Sequence, residues 1–205
     1  LLGWSLDDST EDFSRAQMLE HFSLGRVTKA PASFDPQKLN AFQARWMHKL
    51  PIADRAAMCQ PYLVAAGLIP SEAHDAPSQR VIQVVAAADD RIKVAGDILD
   101  FEGFFTADDS LKYDESAFEK RLRNDAPAQE LLQKFRGVLA NLESFDAAHT
   151  EAALKQFVES EGIKFNQIIH ALRLSTTGTP VGFGMFESLE ILGQASVLAR
   201  IDRAL

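Results

Sequence analysis

Apolar residues in this chain recur every three to four positions over most of its length and hardly anywhere every two. That spacing predicts amphipathic helices, and the near-absence of alternation predicts no sheet. A first helix is expected over Glu11–His21. Asp35 followed by Pro36 reads as an N-cap and first helical residue, opening a helix whose Leu39, Phe42, Trp46 and Leu50 should form one buried stripe before Pro51 stops it. Asp54–Ala66 follows, with a kink expected at Pro61 and closure at Gly67. The polar, proline-bracketed stretch Pro70–Pro77 reads as a connector. Beyond it the pattern gives a helix over Ser78–Ala88, an apolar stretch Val94–Leu99 with Phe101, Phe104 and Phe105, and a turn over Asp108–Asp114. Helices are then expected over Glu115–Arg123, Ala128–Leu142, Ala147–Glu161, Phe165–Ser175, Met185–Leu192 and Ala195–Ala204, punctuated by Gly162 and Gly193. The fold class is all-α, a multi-helix bundle or cage. No fixed-period repeat supports a solenoid.

Composition narrows the class without naming a function. The 205 residues can bury one large core or two small ones. No apolar run reaches the ~18–20 residues of a membrane span, and Leu1-Leu2-Gly3-Trp4 lacks the features of a signal peptide. With no initial Met, the chain reads as cut from something longer. Cys59 is the single cysteine, which excludes an intrachain disulfide and a cysteine zinc set; core packing is the expected role. A cytoplasmic location fits.

The net charge of −8 argues against indiscriminate nucleic-acid binding. Its distribution qualifies that. From Leu24 to Lys49 the bases Arg26, Lys29, Lys38, Arg45 and Lys49 face one acid, Asp35, whereas from Asp97 to Asp125 acids outnumber bases nine to four. A polyanion can therefore meet selected surfaces only. The acidic block reads as solvated helix faces.

Catalytic signatures are missing. No phosphate-loop, dinucleotide or H-E-x-x-H pattern occurs, and His21, His48, His74, His149 and His170 are scattered singly. Asp89-Asp90 and Asp108-Asp109 read as caps rather than acid–base pairs. Two places invite a partner instead. The helix start at Asp35-Pro36-Gln37-Lys38, beside Arg26 and Lys29, is a candidate anion site. The stretch Thr176–Gly184 is uncharged and hydroxyl-rich, lies between helices, and suits reception better than covalent chemistry. Arg91, in Asp90-Arg91-Ile92-Lys93, fits two readings: stabilisation of a helix C-terminus, or an exposed guanidinium that reads a base edge.

Leu1-Leu2-Gly3-Trp4-Ser5, the run Phe22-Ser23-Leu24 through Phe34-Asp35-Pro36-Gln37-Lys38-Leu39, Asp97-Ile98-Leu99-Asp100-Phe101, Leu172-Arg173 with Thr177-Gly178, and Phe186-Glu187 with Leu192-Gly193 together resemble the C-terminal half of bacterial glutamyl-tRNA synthetase. The resemblance runs end to end. It implies a class I enzyme that joins glutamate to tRNA-Glu with ATP and Mg2+, and a chain lacking the upstream domain that carries the HIGH-type and KMSKS-type motifs. Residues 1–69 would then be the remainder of a stem-contact domain and 70–205 an anticodon-binding domain, itself divisible near residue 125. By the same resemblance Lys29, Lys38, Arg91, Lys164, Arg173, Thr177, Gly178 and Phe183 would contact tRNA, with no catalytic or metal-binding residue, no membrane contact, no cofactor in this part and a monomeric state. Thr176, His170-Ala171 and Gly182-Phe183-Gly184 depart from the usual family residues, which leaves tRNA-Gln open as a second substrate. Phe183 would stack on a base. An acidic helical module that binds protein is the alternative function.

Overall fold

The computed structural model describes residues 3–7, 9–29, 33–70 and 76–205. Most of the Pro70–Pro77 connector lies outside the described residues. Among the described residues there is no strand; helices and short 3-10 segments account for the regular structure. The chain divides by contact into Leu1–Phe42 and Gln43–Leu205.

The first unit is built around Trp4. Its ring is 6% exposed and meets Phe13 and Phe22 at centroid distances of 5.6 and 5.9 Å. Helix α1 spans Arg15–His21, shorter than expected, because Ser14 caps it and Gln17 returns the hydrogen bond, a complete capping box. A 3-10 turn at Leu24–Arg26 follows, and the Thr28 amide donates to the Gly3 carbonyl at 2.8 Å. Helix α2, Pro36–Lys49, begins here and carries the division between the units. Asp35 caps it, its carboxylate accepting the Gln37 and Lys38 amides at 2.9 and 3.1 Å. The expected buried stripe is corrected: Leu39 and Trp46 are 46% and 44% exposed, and Met47 is the buried residue of this helix.

The second unit has the extended core. Helix α3, Ile52–Ala65, holds Pro61 inside it, as the sequence places it. It packs on α4, Gln79–Ala88, and on the 3-10 segment Ala95–Phe104. Ser78 caps α4, whose Val81, Val84, Val85 and Ala88 are all fully buried, as their spacing requires. A short helix α5, Glu115–Phe118, continues as a π-turn over Glu119–Arg123. Then come α6, Ala126–Ala140, capped by Asp125, and α7, Ala147–Ser160, capped by Asp146. Helices α8 (Asn166–Thr177), α9 (Met185–Leu192) and α10 (Gln194–Ala204) close the unit, with α8 and α10 against α6 and α9 against α7.

One difference bears directly on the site. The sequence ends the α8 helix at Ser175 and gives Thr176 and Thr177 to the loop. Both threonines instead lie in α8, 0% and 7% exposed. Their hydroxyls donate back to the Leu172 and Arg173 carbonyls at 2.7 and 2.9 Å, so they are satisfied inside the helix. Gly178 ends the helix in the left-handed region, at φ 78°. A Cβ there would also lie 2.1 Å from the Lys112 carbonyl oxygen, and the Gly178 carbonyl accepts the Asp114 amide at 2.7 Å.

Candidate nucleic-acid interface

Arg91 and Arg173 come from separate parts of the second unit, and the Arg91 charge is near enough to act on Arg173. Arg91 lies in a 3-10 turn, Asp89–Arg91, between the fully buried anchors Ala88 and Ile92. Its side chain is 52% exposed and only brushes Asp90 at 3.4 Å. Arg173, on α8, is half-buried and donates to the Phe183 carbonyl at 3.0 Å. Burial lowers its pKa, the Arg91 charge adds to the effect, and Glu187 partly offsets it. Two guanidiniums with donors to spare, beside one carboxylate, make a surface that binds hydrogen-bond acceptors and anions.

The turn that carries Arg91 is held from behind. Asp89 is the one non-glycine residue with positive φ among the described residues, at φ 41° and ψ −106°. Holding such a backbone costs about 1–3 kcal/mol unless the surroundings fix it. Arg55, on α3 and 2% exposed, supplies the fixing: it donates to the Asp89 carbonyl at 2.7 Å and meets its carboxylate at 3.4 Å, where His48 also approaches at 3.6 Å. The same device recurs nearby. Arg200, on α10 and 1% exposed, pairs with Asp108 at 2.6 Å and donates to the carbonyls of Gly103, Thr176 and Thr106 at 2.8, 2.8 and 2.9 Å. It thereby ties the end of α8 to the 3-10 segments that precede α5. Asp89 and Asp108, expected as simple caps, are the anchors of buried arginines.

Between the Ala95–Phe104 segment and the loop after α8 lies a cavity of about 480 Å3, with Arg173, Lys112 and Thr179 at its polar side and Phe101, Phe104 and Phe183 at its apolar side. Phe183 corrects the expectation of a base-stacking ring. It is 3% exposed and its ring already stacks on Phe104 at 4.9 Å and lies 5.6 Å from Phe101. The hydrophobic effect seats it in the core. Thr177 and Gly178, buried and internally bonded, hold the site rather than present donors to it. Val181 is the large apolar side chain of the loop that points outward, 76% exposed.

The expected lysines are dispersed. Lys29 and Lys38 belong to the first unit and Lys164 to the second. Lys29 and Lys164 are exposed. Lys38 is paired with Glu11. The start of α2 is thus occupied by the protein's own acids, Asp35 on the amides and Glu11 on the lysine, and an incoming anion must compete with both. Arg55, Arg200 and Glu187 were not foreseen. A signal existed for Arg200, which is flanked on the α10 stripe by the fully buried Val197 and Ile201; none existed for Arg55.

The all-helical fold, with Arg91 and Arg173 near each other at its surface, defines a helical domain with a cationic patch, and comparison with known proteins places it in a family. The model of the anticodon binding domain family matches residues 54–205, and the chain belongs to that family. The chain is 34% identical over 204 residues to the glutamate–tRNA ligase of Moorella thermoacetica and 30% identical over 204 residues to that of Herpetosiphon aurantiacus. In both cases the match takes in 100% of this chain and 41% of the relative, so the chain spans about two fifths of the length of these curated relatives. The crystal structure of a glutamate tRNA ligase from Elizabethkingia meningosepticum has the same fold over 100% of this chain and 39% of that one, with a TM-score of 0.84 at 22% identity.

Proposed function

We propose that this chain is the tRNA-binding, anticodon-reading part of a glutamate–tRNA ligase. The observation that carries the proposal is the proximity of half-exposed Arg91 and half-buried Arg173, each with few donors engaged, in a domain of the anticodon-binding family. The loop bases of a tRNA are splayed and unpaired, so their edges are open to such donors. In this reading Arg91, fixed at its base by Arg55 and held at its tip only by the long Asp90 contact, reads a base edge. Arg173 holds the neighbouring base or phosphate, and Lys29, Lys38 and Lys164 neutralise backbone. Residues 1–69 serve the stem side of the tRNA and 70–205 its anticodon arm, a functional rather than a packing division.

The whole enzyme would use ATP and Mg2+ to activate glutamate in a catalytic domain outside this chain, act in the cytoplasm and work as a monomer. Among the described residues no three His, Cys, Asp or Glu side chains are grouped so as to hold a metal ion, and no step through ATP and Mg2+ is assigned to them. The substrate is tRNA-Glu, with tRNA-Gln as the competitor that Arg91 must refuse or admit.

Binding of a tRNA-Glu transcript to the 205-residue chain, followed by fluorescence anisotropy against salt, tests this. Binding should weaken steeply with salt. Arg91→Ala should weaken it by about 1–3 kcal/mol, and more for the intact anticodon than for an altered one. A flat salt response, or equal affinity for every anticodon before and after the substitution, would overturn the proposal.

A further inference from the structure

We propose that the cleft between the π-turn Glu119–Arg123 and α8 is a phosphate site that holds the sugar–phosphate backbone of the RNA beside the anticodon. This rests on the reading of the chain as a tRNA-binding domain. The cleft has a volume of about 400 Å3 and is lined by Lys120, Arg121 and His170, with Leu174 and Pro180 as an apolar wall.

The π-turn is what directs these cations. The Asn124 amide donates to the Glu119 carbonyl at 2.9 Å, five residues back, so the helix is widened by one residue at this point. Such turns occur disproportionately at functional sites. Leu122 is fully buried and anchors the turn. Arg123 folds back onto Glu115, at 3.1 Å, and onto Glu119, and those acids thereby neutralise it. Lys120 and Arg121 remain exposed, and among the described residues neither forms an ion pair. The one acid in the lining, Asp114, is engaged as the cap of α5, accepting the Ala117 amide at 2.9 Å.

Place matters as much as charge. The cleft shares α8 and its following loop with the arginine face: His170, Leu174 and Pro180 line the cleft, while Arg173, Thr179 and Gly182 line the larger cavity. A strand with a base at Arg173 thus has cationic side chains within the same local structure for a neighbouring phosphate. In a chain with nine acids between Asp97 and Asp125, two cations outside any ion pair against the single acid of the cleft, Asp114, are a selective opening for a polyanion.

The test is salt-dependent binding of the tRNA-Glu transcript to the whole chain carrying Lys120→Ser, Arg121→Ser or both. Lys155→Ser serves as control, since that lysine is paired with Glu151 at 2.7 Å on α7. Each cleft substitution should reduce the slope of log K against log salt by about 0.7–0.9. Affinity should fall several-fold at moderate salt and equally for intact and altered anticodons, with an unchanged Tm. The control should leave the slope as it was. Wild-type slopes in the double variant, with wild-type binding intact, would overturn the phosphate site while leaving the tRNA reading standing; absence of tRNA binding by the wild-type chain would remove both. In a second arm, inorganic phosphate is titrated while the His170 ring signals are followed by NMR. Shifts that need Lys120 and Arg121 support the site. Shifts without any change in the RNA slope mean that free phosphate, not RNA backbone, is the ligand, and overturn the assignment.

Discussion

Two arginine regions lie within one unit of this molecule and obey opposite rules. In the buried region Arg55 and Arg200 are 2% and 1% exposed, and they spend their donors on backbone carbonyls and on a single acid each. In the open region Arg91 is half-exposed and Arg173 half-buried, with one weak contact or one carbonyl between them and solvent. The buried set fixes turns; the open set keeps its donors free. The difference teaches that charge alone does not locate a binding face in this fold. What locates it is whether each guanidinium's donors are already satisfied: buried Arg55 holds the turn that carries Arg91, and buried Arg200 holds the end of the helix that carries Arg173.

The largest effect should come from breaking the buried region. Arg200→Met leaves Asp108 and three carbonyls without their partner, and loss of one side of a buried pair typically costs about 3–5 kcal/mol. Urea unfolding should show that loss. Any loss of RNA binding should track the unfolded fraction; a variant as stable as the parent would break the comparison. Phe183→Ala belongs to the same region despite its place in the loop. Removing a ring packed on Phe101 and Phe104 should cost about 3–5 kcal/mol of stability. Loss of base stacking without loss of stability would show that the ring acts outside the core.

Cys59 reports on how dry the buried region is. The thiol is fully buried, and burial raises its pKa to about 11 from an ordinary 9.0 even though the nearby Arg55 charge works to lower it. The folded chain therefore keeps this proton longer than the unfolded one. The stability it contributes is complete below pH 9 and is lost as pH rises toward 11. Two pKa units correspond to about 3 kcal/mol. The difference between wild type and Cys59→Ala in denaturant unfolding should shrink by roughly that amount across this window, and a constant difference would mean that the thiol is solvated.

Much of the fold could be read from the sequence because helix periodicity is local. The stretches Met185–Leu192 and Gln194–Ala204 were legible almost to the residue, since Gly193 separates two apolar stripes. The candidate site was legible only in part. Arg91 could be singled out as a cation at a helix end and Arg173 by family resemblance, but their proximity depends on how α8 and the Asp89 turn pack, which no local pattern contains. Phe183 misled for the same reason: its partners Phe101 and Phe104 are distant in sequence, and two glycines around an aromatic look like a loop tip. The threonines before Gly178 looked available because hydroxyl bonds back to a helix's own carbonyls leave no mark in the sequence. The Leu39–Trp46 stripe had the spacing of a core face, but half-exposed side chains are equally compatible with that spacing.

On the open side the effects are smaller and fall on binding. Asp89→Val should act through Arg91, since a β-branched residue does not tolerate the positive φ of that turn. Asp89→Asn keeps both the tolerance and an acceptor for Arg55, so it should bind tRNA within about two-fold of wild type. The valine variant should lose most of what Arg91→Ala loses, and nothing further when combined with it. Additive losses in the double variant would show that the turn does not work through Arg91.

The smallest expected effect concerns the first unit, where Lys38 is neither buried nor free. Its ammonium is held by Glu11, and both side chains are nearly half exposed, at 45% and 46%. A pair this exposed contributes about 0–1 kcal/mol to stability, so Glu11 is better understood as a competitor for whatever anion Lys38 can take. Glu11→Gln removes the competing charge without removing the lysine. If Lys38 contacts tRNA backbone, the glutamine variant should bind tRNA about two- to three-fold more tightly at low salt, and the gain should fade as salt screens the site. Lys38→Ser should abolish that gain in the double variant. A glutamine variant that gains affinity equally with and without Lys38 would assign the effect to net charge alone, and would leave the second unit as the whole of the RNA interface.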